Sequence, residues 1–168
     1  MAMSQFNWGF VILGFVVAAI IWWFFRYARP QFPPLNTAPD EPLLLEAYQK
    51  ARASLPEFRT LFVRYPKNAI IKLNFVSNSN QVEHLWAEVL EPAGETEYRV
   101  RLVTPPVTHS GKLDRLYMCK EEDIEDWLVT DDEGKHHGAF SQRAMYAIAR
   151  RDGVMLPKKL LAMEKFYK

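Results

Sequence analysis

Hydrophobic and polar positions divide the chain into three regimes. From Trp8 to Phe25 the residues WGFVILGFVVAAIIWWFF form an unbroken apolar run, and no charged side chain occurs before Arg26. Eighteen residues rising about 1.5 Å each give roughly 27 Å, close to the hydrocarbon thickness of a bilayer. The pattern therefore predicts a transmembrane helix over about residues 6–27, because a lone strand would leave its backbone unsatisfied in lipid. Trp8 at one end, and Trp22, Trp23 and Tyr27 at the other, suit the two membrane interfaces. Arg26 and Arg29 follow the span and no Lys or Arg precedes it, so the positive-inside rule puts the N-terminus outside and the rest in the cytoplasm. A cleaved signal peptide would need a basic start, a shorter apolar core and a small-residue cleavage site, all missing here. Gly14 and Ala18 make a small-xxx-small pair, which either faces lipid or supports a weak homodimer.

The second regime is proline-rich. Prolines at 30, 33, 34, 39 and 42 remove backbone donors and fix φ, so residues 30–42 are expected as an extended linker, reaching roughly 30 to 40 Å at about 3.1 Å per residue. The chain thus divides into an anchor (1–29), a linker (30–42) and one domain (43–168).

In the third regime the period changes twice. Leu44, Tyr48, Ala51 and Leu55 share a helical stripe that starts at Asp40 or Glu41 with Pro42. Ser54 and Glu57 have capping-box spacing before a second short helix carrying Phe58, Leu61 and Phe62, which Pro66 ends. Alternation then takes over. Ile71, Leu73 and Phe75 form one face of a strand; Leu85, Ala87 and Val89 oppose His84, Trp86 and Glu88 in the next; and Tyr98, Val100 and Leu102 alternate with Arg99 and Arg101. Ser77–Gln81 and the THSGK segment read as connections, and Leu116–Lys120 as a fourth strand of an antiparallel meander. A tight turn, a strand around Trp127–Thr130, a turn at Asp131–Lys135 and a strand to Phe140 follow. Ser141 is expected to cap a helix closed by Asp152 and Gly153, and a short basic helix lies beyond Pro157. The fold class is α+β: a transmembrane helix followed by a curved antiparallel sheet with flanking helices.

Several motifs in this order resemble a known family. His84 and Trp86 within EHLW, Ile124 to Trp127 as IEDW, and the trailing Gly134, Gly138, Phe140, Ser141 and Arg143 are similar to the YegJ-like bacterial domain of unknown function. The resemblance covers about Leu43 to Gly153 and implies a bacterial protein with no assigned activity. It is silent on residues 1–42 and on the basic tail.

Charge adds a local contrast, since the total is only +1. Residues 121–133 contain eight acids and no base, whereas residues 150–168 contain six bases and two acids. Glu121, Glu122, Asp123, Asp131, Asp132 and Glu133 form either a solvated rim or a docking surface for a basic partner. The basic tail either lies on anionic lipid or packs on the sheet. Near-neutral charge and the missing aromatic-basic platform argue against nucleic acid. The single cysteine, Cys119, forms no intramolecular disulfide, which fits a reducing compartment.

Candidate chemistry is sparse. Glu83 and His84 fall on opposite faces of a strand and cannot act as a dyad, whereas His84 and Trp86 share a face, as a structural pair or as part of a pocket. Asp126 and Arg143 either frame a pocket over Trp127 or serve as a turn cap and an ion-pair partner around a core tryptophan. No metal-ligand spacing, phosphate loop or nucleophile elbow occurs, so no metal or cofactor is expected. The sequence reads as a single-pass bacterial inner-membrane protein whose domain is a non-catalytic binding or scaffold module. The alternatives are an immunity or toxin-neutralising protein, and an enzyme centred on His84, Trp86, Asp126 and Arg143.

Overall fold

The computed structural model describes residues 38, 40–76, 82–106 and 115–168. The expected anchor, with its interface residues and the Gly14–Ala18 pair, lies outside the described residues, as do most of the linker, the Ser77–Gln81 turn and the THSGK connection. Among the described residues, no helix is long and apolar enough to cross a membrane.

Helices α1 (Pro42–Ala53) and α2 (Leu55–Arg64) lead into strands β1 (Ala69–Val76), β2 (Val82–Pro92), β3 (Glu97–Leu102) and β4 (Leu116–Lys120). A 3-10 turn (Glu121–Asp123) joins β4 to β5 (Ile124–Thr130), followed by β6 (His136–Gly138) and helices α3 (Phe140–Arg151) and α4 (Lys158–Glu164). The architecture is α+β. Glu41 caps α1 through its side chain, with Pro42 at the first helical position, as the local signals require. Ser54 does not form the expected capping box. Its hydroxyl donates back to the carbonyls of Lys50 and Ala51, closing the end of α1 instead of opening α2.

The six strands form one antiparallel sheet in the order β4-β3-β2-β1-β5-β6. The first four are the expected meander, and β5 then crosses back to pair with the far side of β1. That return demands curvature. Four residue steps from Lys120 to Ile124 reach at most about 15 Å, whereas four strand spacings in a flat sheet amount to about 19 Å. The sheet curls accordingly, and the rings of Phe75 on β1 and Tyr117 on β4 meet at 5.6 Å with β2 and β3 between them in the strand order.

The alternating apolar faces fill the core. Ile71, Leu73, Leu85, Ala87, Val89, Tyr98, Val100 and Leu102 are all buried, against Ala51 of α1 and Phe58 and Phe62 of α2. Trp127 is the largest fully buried side chain. Its indole N–H donates to the Ala51 carbonyl at 3.2 Å and the Ser54 hydroxyl at 3.1 Å, which ties β5 to the end of α1. The tail packs on the domain. Leu160 is buried, its carbonyl accepts from the Tyr146 hydroxyl at 2.8 Å, and Tyr167 forms a parallel bridge to His136 that covers the outer edge of β6.

Candidate functional site

The β1–β5 ladder slips by one residue. Lys72 opposes Asp126 and Leu73 opposes Ile124, leaving Glu125 as the extra residue of a bulge. The bulge gathers polar groups around Lys72. Asp126 lies across from it, and Glu125 reaches the ring of His84, with Oε2 2.7 Å from Nδ1. From α1, Tyr48 stacks on His84 and accepts a bond from the Lys72 ammonium at 3.4 Å; that ammonium also donates to the Ser141 hydroxyl at 3.4 Å. Burial lowers the Lys72 ammonium from its ordinary value, against the opposing charges of Asp126 and Glu125, and pushes the Tyr48 phenol up to about 12.

Asp126 is fully buried and is a cap for a helix that belongs to another part of the chain. One oxygen accepts the Trp127 and Phe140 amides at 2.8 and 3.1 Å; the other accepts both the amide and the hydroxyl of Ser141 at 2.7 Å. The expected role of Ser141 as N-cap is thus corrected. Ala139 holds the cap position in a left-handed conformation without a side-chain bond, and Asp126 supplies the acceptor that the first turn of α3 needs. Burial raises the Asp126 carboxyl above the usual carboxylate range, with the bonds from Ser141 and Trp127 pulling the other way.

Of the pocket expected from sequence, the structure brings His84, Trp86 and Asp126 to one face and separates the other two members. Trp127 points into the core, and Arg143 is exposed, lying over the Phe140 ring and donating to the Lys168 carbonyl. Tyr48, Lys72 and Glu125 are the members that the sequence did not single out, and Ser141 stood there only as a helix cap and a motif residue. A lysine at a strand position flanked by apolar residues was their one visible signal. Within the cluster the polar groups are bonded to one another: the Ser141 hydroxyl donates to Asp126 at 2.7 Å and accepts from the Lys72 ammonium at 3.4 Å.

The acidic stretch does not form one surface. Glu121 is buried and accepts Arg59 through both oxygens, at 2.9 and 3.1 Å. Asp131 is buried and accepts from the Glu133 and Lys135 amides, His137 and Lys168. Asp132 and Glu133 are exposed in the β5–β6 turn, whereas Glu122 and Asp123 lie at the opposite end of β5, roughly 20 Å away.

Those two, with Glu125, belong to a cleft of about 570 Å³ between the end of β1 and β4. Phe75, Tyr117 and Cys119 contribute to its walls, and Arg52 of α1 is its basic residue. Val76 and Met118 in its lining are 61% and 57% exposed, and the exposed Val82 pairs with Val76 across the strands. Burial pushes the Cys119 thiol up to about 12, which leaves it inert as a nucleophile. Among the described residues, no three His, Cys, Asp or Glu side chains are placed to hold a metal ion.

No curated protein and no solved structure matches the chain. Residues 41–151 match one family model, described as an uncharacterized protein conserved in bacteria, and this span runs from the cap of α1 to the end of α3. It contains the whole of the Lys72 cluster and of the cleft and leaves out the α4 tail. The chain belongs to this bacterial family, DUF2314.

Proposed function

We propose that the domain is a non-catalytic binding module, tethered to a bacterial inner membrane by the apolar segment before residue 30, and that the cleft between β1 and β4 is its recognition site. The observation that carries this is the contrast between two places. The residues with chemical potential are engaged in holding the fold, Asp126 to α3 and Trp127 to α1. The cleft instead presents Val76 and Met118 to solvent beside exposed carboxylates. An exposed apolar surface rimmed by polar groups is the usual form of an interaction site. The tether rests on the sequence pattern: the length of the apolar run, its aromatic ends and the arginines that follow.

The test is affinity enrichment of the full chain from native membranes, wild type against Met118→Glu. The side chain at 118 is exposed, so the substitution leaves thermal stability within about 0.5 kcal/mol. Loss of a stoichiometric partner at unchanged stability supports the reading. Retention of every partner by the variant contradicts it.

A further inference from the structure

The lining of the cleft also carries a charge signature. We infer that its ligand is a peptide segment of a partner protein that presents a lysine or arginine next to an apolar side chain. This inference rests on the binding-module reading and specifies the class of partner.

The lining of the cleft includes the exposed Glu122 and Asp123, the largely buried Glu125 and one basic side chain, Arg52, with the Lys120 ammonium beside Glu122. Each carboxylate already has one contact. Glu122 lies 3.5 Å from the Lys120 ammonium, Asp123 accepts the Lys120 amide at 3.2 Å, and Glu125 faces His84. A carboxylate has about four acceptor positions, so these contacts leave room for an incoming cation. The Glu122–Lys120 pair is solvent-exposed on both sides and therefore exchanges readily for a better-placed partner. The lining also has an apolar part. Val76 and Met118 flank the mouth, and the Phe75–Tyr117 ring pair stands behind them. An aliphatic stem ending in a cation matches both halves: methylenes along the apolar wall, charge at the carboxylates. An apolar neighbour would cover the exposed Met118. An acidic or phosphorylated segment would meet the like charges of Glu122 and Asp123 and is disfavoured by them.

Met118 supplies the reporter. The full chain in detergent, labelled with 13C at the methionine methyls, is titrated with three capped tripeptides: Leu-Lys-Leu, Leu-Ser-Leu and Leu-Glu-Leu. Met155, 92% exposed and outside the cleft, is the internal control. The lysine peptide is expected to move the Met118 resonance saturably and leave Met155 in place, with affinity at least fivefold above that of either other peptide. Glu122→Gln together with Asp123→Asn is expected to weaken it at least fivefold, and so is raising salt from 20 to 300 mM, since exposed charges are screened. Equal shifts from the serine or glutamate peptide would overturn the charge assignment and leave the cleft as a binding site. Shifts at Met155 alone, or none at Met118 with any peptide, would overturn both.

Discussion

Asp126 on β5 and Ser141 on α3, fifteen positions apart, are joined by two bonds of 2.7 Å to one carboxylate oxygen. The pair fixes where the helix begins. Four donors converge on the Asp126 carboxylate, from Trp127, Phe140 and the amide and hydroxyl of Ser141. Removing it strands the buried amides of the first turn, so Asp126→Ala is expected to cost about 3 kcal/mol. Ser141→Ala removes one bond and is expected to cost about 1 kcal/mol. Thermal unfolding of both variants checks the order; a silent Asp126→Ala would refute the capping role.

Gly138 and Gly134 have nearly the same backbone, φ +77 and +76, in different surroundings. A Cβ at Gly138 would stand 2.6 and 2.8 Å from ring atoms of Trp127 and against its carbonyl, whereas at Gly134 it would meet nothing within 4 Å. Gly134→Ala is expected to lose about 1 to 2 kcal/mol from the left-handed backbone alone. Gly138→Ala adds overlap with the core and is expected to lose roughly 3 kcal/mol or more. Equal losses in the two melting curves would show that Trp127 yields freely.

The tail is held by Asp131, whose carboxyl is depressed well below the usual range by His137 and Lys168. Because the folded-state value is lowered, the stabilisation is complete above the ordinary value of 3.8 and is lost as pH falls below it. Stability measured from pH 6 down to pH 2 should therefore decline more steeply in the wild type than in Asp131→Asn. Parallel curves would mean that the tail contacts contribute nothing to folding.

His84 is exposed and paired with Glu125 at the surface of the cluster, so His84→Gln is expected to change stability by less than about 1 kcal/mol. Partner enrichment by this variant is expected to match the wild type. Lost function at unchanged melting temperature would revive an enzymatic role for the cluster.

Periodicity made the meander legible. Leu73, Leu85, Val100 and their alternating neighbours are buried because a two-residue period leaves them no other face. Trp127 as core followed from the same logic. The position of β5 beside β1 did not, since pairing across more than fifty residues leaves no local trace, and neither did the bulge from which Glu125 reaches His84. Ser141 had the residue type and spacing of a cap, but the left-handed turn at Gly138 and Ala139 moved the helix start two residues back. The acids of residues 121–133 looked continuous in sequence. An intervening strand divides them, Arg59 and Lys168 pair with the buried Glu121 and Asp131, and Asp126 is taken up by the start of α3.

Partners are expected to meet this domain at the β1–β4 cleft. A photo-crosslinking residue placed at position 118 of the full chain, and in parallel at position 155, tests it in native membranes. Both sites are exposed, and only the first borders the cleft. A discrete adduct at 118 that is absent at 155 is the expected result; the same adducts at both positions, or none at 118, would contradict the account.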